Sequence, residues 1–207
     1  MKISLGLTPD DQDCFVSSDD IKSLSIESGK DTVKTTLNRR ILNRFKDNGY
    51  RVLIVDPENE YDNITNNPDD YTVNDTIGMI NHAGSLAYSG NNVVLFIDHY
   101  SLVTRNMSTA SLSAVEDALI YLHRHSDDSG IRLIISNTGG DMSLPYHPSE
   151  RIYVGAFDML DAHPMLPKKF YARVYAAIRD SRFLSDHERR HRAILFTDRI
   201  QHFTIGD

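Results

Sequence analysis

The 207-residue chain is 40% hydrophobic and 25% charged, ordinary values for a folded domain with a sizeable core. Its formal charge of −7 excludes a surface that is basic throughout, although Lys168, Lys169, Arg189, Arg190 and Arg192 leave room for a local basic patch. The single cysteine, Cys14, excludes an intramolecular disulfide; no run reaches the ~20 apolar residues of a membrane span and the N-terminus has no signal-peptide apolar core, so a cytoplasmic protein is expected.

Residues 1–20 begin with an apolar stretch, Ile3–Leu7, and continue as an acidic lead-in with Pro9. They read as an N-terminal arm or short strand ahead of a single domain over 21–207. Ile21–Ile26 alternates apolar and polar residues, as a strand does. Thr35–Asn48 carries Leu37, Ile41, Leu42 and Phe45 on one helical face and stops at Asn48-Gly49. Arg51–Val55 and Ile131–Ile135, apolar except for Arg51 and Arg132, and the wholly apolar Val93–Ile97 have the mark of strands covered on both faces. Between them, Thr76–Ala87 and Ser111–His125 have helical spacing, and residues 62–73 form an Asn/Asp-rich loop. Arg151–Phe157 is a further strand candidate and Pro167–Phe183 a helix. Arg192–Thr197 and Ile200–Ile205 both alternate, which predicts a C-terminal β-hairpin.

Strands alternating with helices predict an α/β fold: a mostly parallel central sheet flanked by helices, with right-handed crossovers. Val93–Ile97 and Ile131–Ile135 are expected to flank the Ile21–Ile26 strand. Ligands of such sheets bind at the C-terminal strand ends. Ser28–Thr36, Asp56–Tyr61, Asp98-His99 and Asn137–Gly140 all fall on that edge.

Ser28–Thr36, Ser-Gly-Lys-Asp-Thr-Val-Lys-Thr-Thr, lies between a strand and a helix and matches the end of the phosphate-loop pattern G-x-x-x-x-G-K-[ST]. Lys34 and Thr35 take the Lys and Ser/Thr positions. The two glycine positions fall on Ser28 and Val33, and Asp31 stands where a middle glycine is common. In such a loop, backbone N–H groups and the helix N-terminus cradle phosphate. The lysine offsets β/γ-phosphate charge, and the hydroxyl holds Mg²⁺. The alternative is an ordinary helix start, with Asp31 or Thr32 as cap and Lys34 in solvent. Asp98, at the end of the most apolar strand, has the setting of a Walker B carboxylate that orients Mg²⁺, or of an aspartate that merely ends a strand. Asn137 ends the next strand, where it can sense the γ-phosphate or serve only as a turn residue. The histidines fit no zinc spacing.

The order of these motifs resembles the FtsK/HerA superfamily of P-loop ATPases over roughly residues 21–160. The pieces are Ser-Gly-Lys-Asp-Thr-Val-Lys-Thr-Thr-Leu, Arg-Val-Leu-Ile-Val-Asp-Pro-Glu-Asn-Glu-Tyr, Val-Val-Leu-Phe-Ile-Asp-His and Ile-Arg-Leu-Ile-Ile-Ser-Asn-Thr. The second is the most specific. In length the chain is most like the short genome-packaging ATPases of membrane-containing double-stranded DNA viruses. The resemblance implies an oligomeric ring that binds ATP and Mg²⁺ and moves double-stranded DNA, with a capsid or membrane vertex as a partner, in host cytoplasm or virion. It assigns Ser28, Gly29, Lys30, Asp31, Thr32, Val33, Lys34, Thr35 and Thr36 to the nucleotide, and Thr35 and Asp98 to the metal. Lys34, Asp98, His99 and Asn137 become the catalytic set.

There are departures from the pattern. The loop glycines are mostly absent, and His99 replaces the glutamate that usually follows the Walker B aspartate. His99, Glu58 or Glu60 could replace that base. Arg105, Arg124, Arg179 and Arg182 are candidates for an arginine acting in trans. Besides a motor, the sequence admits a hydrolysis-deficient binding or assembly subunit. A small-molecule phosphotransferase is a third reading, although no basic lid is evident.

Overall fold

The computed structural model describes residues 1–29, 33–61, 64, 76–139, 144–155, 185–197 and 199–206. The expected helix over 167–183 and the loop over 62–73, except for Ile64, lie outside the described residues. The elements in chain order are β1 (Lys2–Leu7), β2 (Asp13–Ser17), β3 (Ser23–Ser28), α1 (Lys34–Asp47), β4 (Arg51–Val55), α2 (Thr76–Tyr88) and β5 (Val93–Ile97). These are followed by α3 (Tyr100–Arg105), α4 (Thr109–Arg124), the single turn α5 (Ser126–Ser129) and β6 (Ile131–Thr138). The described chain ends with β7 (Glu150–Val154), α6 (Asp186–His191), β8 (Arg192–Phe196) and β9 (Ile200–Thr204).

One nine-stranded sheet runs in the order β2-β1-β9-β8-β7-β3-β6-β5-β4. The five strands from β7 to β4 are parallel. The expected C-terminal hairpin, β8–β9, adds to β7 in antiparallel fashion, and β1 and β2 continue from it. The expected neighbours of the first parallel strand need one correction. β3 lies between β6 and β7, and β5 lies beyond β6, next to β4. Strands covered on both faces have the same apolar character, so composition cannot rank them; the crossovers set the order.

Alternation divides the strands between two cores. Val52 and Ile54 of β4 and Val94 and Phe96 of β5 face α1, in one cluster with Leu37, Ile41, Leu42 and Phe45. Leu53, Val55, Leu95 and Ile97 face the opposite way, onto α2 and α4. Each large side chain fully buried in this way contributes about 1.5–3 kcal/mol. Ile3, Leu5 and Val16 of the N-terminal hairpin join the α1-side cluster. The hairpin reaches β9 because Gly6 has no side chain: a Cβ there would lie 2.1 Å from the Thr204 carbonyl oxygen. α1 stops where Gly49, at φ +80°, turns the chain.

Among the described residues, no helix is long and apolar enough to cross a membrane.

Candidate functional site

The C-terminal ends of β3, β4, β5 and β6 converge on a cluster of buried polar side chains: Lys34, Asn38, Asp56, Asp98, Ser136 and Asn137. Each has a local reason to be there. Lys34 opens α1 and Asn38 lies one turn later on the same buried face. Asp98, Asp56 and Asn137 continue or end strands whose apolar residues fix their height.

Lys34 Nζ donates to Asp98 Oδ1 at 2.6 Å. Tyr61 Oη donates to the other carboxylate oxygen at 2.9 Å, and the His99 N–H donates to Oδ1 at 2.9 Å. Burial pushes the Asp98 carboxyl up, but the charge and hydrogen bond of Lys34, the nearby His99 ring and the Tyr61 hydroxyl outweigh it and hold it below its ordinary value. Burial first, then the Asp98 charge, holds the Tyr61 phenol well above its usual range, so it remains a donor. Asn38 Nδ2 bonds Tyr61 Oη at 2.9 Å and Ser136 Oγ at 3.1 Å, tying α1 to β6.

The Asp-Pro…Glu-Tyr segment builds the near wall. The Tyr61 N–H donates to Asp56 Oδ2 at 2.8 Å, which closes the loop after β4 and returns Tyr61 under Asp98. Thr35 Oγ1 donates to Glu60 Oε2 at 3.1 Å. Arg39 Nε holds the Glu60 carbonyl oxygen at 3.1 Å. His99 has a left-handed backbone (φ +46°, ψ +49°), and its Nε2 lies 3.1 Å from Glu58 Oε2 and 3.7 Å from Asp98 Oδ2. Asn137 Oδ1 accepts from the Ser101 N–H at 3.1 Å and from Ser101 Oγ at 2.6 Å. Its Nδ2 is buried without a partner among the described residues.

Lys30, Asp31 and Thr32 lie outside the described residues. The ends of the loop do not match an ordinary capped helix start. The residue before α1 is Val33, which makes no side-chain cap, and the first turn carries no acidic residue. Lys34 is 4% exposed rather than solvated. Val33 sits at φ −84°, so the position needs no glycine. Ser28 ends β3, and its Oγ is 3.5 Å from Thr138 Oγ1. The N–H groups at the two ends are engaged: Gly29 with the Val154 carbonyl oxygen at 3.2 Å and Val33 with that of Arg190 at 3.4 Å. The N–H groups of Lys34, Thr35 and Thr36 precede the first bond of the helix, from the Leu37 N–H to the Val33 carbonyl oxygen at 3.1 Å.

The donor set fits a phosphate and a divalent cation together. An uncapped helix start and a buried ammonium supply the anion side. Thr35 Oγ1 and the Asp98 carboxylate supply oxygen ligands of the kind Mg²⁺ takes. Of the candidate arginines, Arg105 is the last residue of α3 and Arg124 the last of α4. Arg179 and Arg182 lie outside the described residues.

Asn38 and Ser101 are absent from the sequence-predicted site, and Tyr61 and Ser136 stand there only inside quoted motifs, with no role assigned. Asn38 left a trace, a polar residue among Lys34, Leu37, Ile41 and Leu42 on the inner face of α1. Tyr61 closes the Asp-Pro…Glu-Tyr motif, but its partner Asp98, like those of Ser101 and Ser136, is too distant in sequence to be read there.

A parallel core with a strand–loop–helix ending in Lys-Thr, and an aspartate across from it, defines a P-loop NTPase fold. Solved structures of FtsK/HerA-type and genome-packaging ATPases share this fold. The cytoplasmic domain of the type VII secretion ATPase EccC from Thermomonospora curvata aligns with 99% of this chain at 12% identity and a TM-score of 0.72. The pCW3 conjugation coupling protein TcpA, solved with ATPγS, aligns with 99% at 14% identity and a TM-score of 0.72. The genome packaging NTPase B204 of Sulfolobus turreted icosahedral virus 2, solved with AMPPCP, aligns with 92% at 15% identity and a TM-score of 0.61. The chain spans 26% of EccC and 65% of TcpA, but the match takes in 100% of B204. No family model matches the sequence, and no curated protein matches it.

Proposed function

We propose that residues 21–207 form an ATP-driven motor domain, with 1–20 added at the sheet edge, and that copies assemble as a ring to move double-stranded DNA in viral genome packaging. The observation that carries this reading is the buried Lys34–Asp98 pair, which brings a phosphate-binding cation and a metal-binding carboxylate together from β3–α1 and β5. A bound Mg²⁺–ATP complex supplies the phosphoryl group. The remaining roles fall to the chain. Lys34 and the N–H groups opening α1 offset phosphate charge. Thr35 and Asp98 orient the metal. Asn137 offers its unpartnered Nδ2 towards the γ-phosphate and ties that signal to α3 through Ser101. The proton acceptor is drawn from His99, Glu58 and Glu60, which stand together beside Asp98. DNA is held through its phosphates, without reading sequence. The match to the full length of B204, a genome packaging NTPase, supports packaging over secretion.

One observation favours a second reading, a nucleotide-binding subunit without turnover. The Gly29 and Val33 N–H groups are spent on backbone carbonyls, which shortens the cradle. ATP hydrolysis by the purified full chain, with and without double-stranded DNA, separates the two. DNA-stimulated turnover establishes the motor, whereas ATP binding without turnover establishes the subunit. Absence of both removes the nucleotide reading.

A further inference from the structure

We propose that Glu58, Glu60 and His99 form a binding site for a divalent transition-metal ion, of the Zn²⁺ or Mn²⁺ class, separate from the Mg²⁺ site of Thr35 and Asp98. One ligand atom from each residue lies within 4.8 Å of the other two. Ligands of a tetrahedral ion with bonds of ~2.1 Å stand about 3.4 Å apart. His99 Nε2 and Glu58 Oε2, at 3.1 Å, already have nearly that separation. On loading, the two exchange their direct contact for two bonds to the ion, and Glu60 closes in by a rotamer change.

Two independent features support an ion here. The first is charge: Glu58, Glu60 and Asp98 bring three carboxylates together, and among the described residues Lys34 is the one lysine or arginine that forms an ion pair with them. A dication offsets the excess. The second is ligand type. An imidazole with two carboxylates suits Zn²⁺, Mn²⁺ or Fe²⁺, whereas Mg²⁺ prefers oxygen alone. Glu58 is 49% exposed on its side chain and His99 15%, so water completes the coordination and the ion has a way in. The left-handed backbone at His99 sets the ring on this side of Asp98.

The inference does not rest on nucleotide binding, and the test is run without nucleotide. Mn²⁺ is added to the full chain and examined by pulsed electron paramagnetic resonance. An imidazole nitrogen coupling is expected. It disappears in His99→Ala, persists in the double variant His187→Gln/His191→Gln, and is displaced by equimolar Zn²⁺ but not by excess Mg²⁺. Calorimetry should show Zn²⁺ affinity falling at least about tenfold in His99→Ala and in Glu58→Gln. Glu58 is half-exposed, so Glu58→Gln remains informative if His99→Ala fails to fold. Mn²⁺ binding with no nitrogen coupling overturns the proposal, because the ion then sits on oxygen alone. A coupling that survives His99→Ala overturns it too, as does absence of binding.

Discussion

Lys34 Nζ lies 2.6 Å from Asp98 Oδ1, and neither side chain is more than 5% exposed. A buried pair of this kind adds little over a well-packed apolar pair, yet breaking it by removing one partner is costly. Lys34→Ala should therefore lose stability by about 3 kcal/mol as well as ATP binding. The double variant Lys34→Met/Asp98→Asn should recover most of the stability and none of the binding. Urea unfolding and calorimetric titration of both variants separate the two effects. A fully stable Lys34→Ala would mean that the pair is not buried as described.

The same pair fixes the acid limb of stability. Lys34, His99 and Tyr61 outweigh the cost of burial and hold the Asp98 carboxyl below its ordinary value. A depressed carboxyl stabilises the fold fully above its unfolded value, about 3.9, and loses that contribution as pH falls through the lower folded value. Thermal melts below about pH 4 should fall more steeply for wild type than for Lys34→Met/Asp98→Asn. Parallel curves would assign the acid limb to other carboxylates.

Tyr61 joins Asp98 to Asn38 through one hydroxyl. Tyr61→Phe keeps the ring against Phe96 but removes that link. The expected cost is about 1–2 kcal/mol, since Asn38 and Asp98 keep their burial and lose a partner. A change under ~0.5 kcal/mol in urea unfolding would show that the hydroxyl is dispensable.

Residue 99 should respond to backbone form more than to side-chain charge. Its φ of +46° is costly for most side chains. His99→Gly should raise stability by about 1 kcal/mol. His99→Glu keeps the strain and sets a third acid against Glu58 and Asp98, so it should lower stability rather than restore an active base. Val33→Gly is expected to weaken the loop, because φ −84° needs no glycine and the Val33 side chain packs on the core. Melting temperatures rank these variants against wild type. His99→Glu matching His99→Gly would contradict the electrostatic part.

Gly6→Ala should detach the N-terminal hairpin, since the new Cβ would meet the Thr204 carbonyl oxygen at 2.1 Å. Hydrogen exchange should speed up in β1 and β9 and stay unchanged in β5 and β6. Unchanged protection at β1 would show that the strands can shift apart.

The sequence by itself determined the class of this fold. Val52–Val55, Val93–Ile97 and, apart from Arg132, Ile131–Ile135 are apolar because both faces are covered, and Leu37, Ile41, Leu42 and Phe45 mark the face of α1. It also placed Asp98 and Asn137 at the ends of buried strands and, by the phosphate-loop pattern, Lys34 at a helix start. Strand order was not legible: β6 separates β3 from β5, a consequence of crossovers that leave no trace in composition. Nor were the links that complete the site. Tyr61 reaches Asp98 across 37 residues, Ser101 reaches Asn137 across 36, and Asn38 reaches Ser136 across 98. A local pattern records which residues share a face, whereas partners so far apart in the chain are chosen only when the sheet brings its strand ends together.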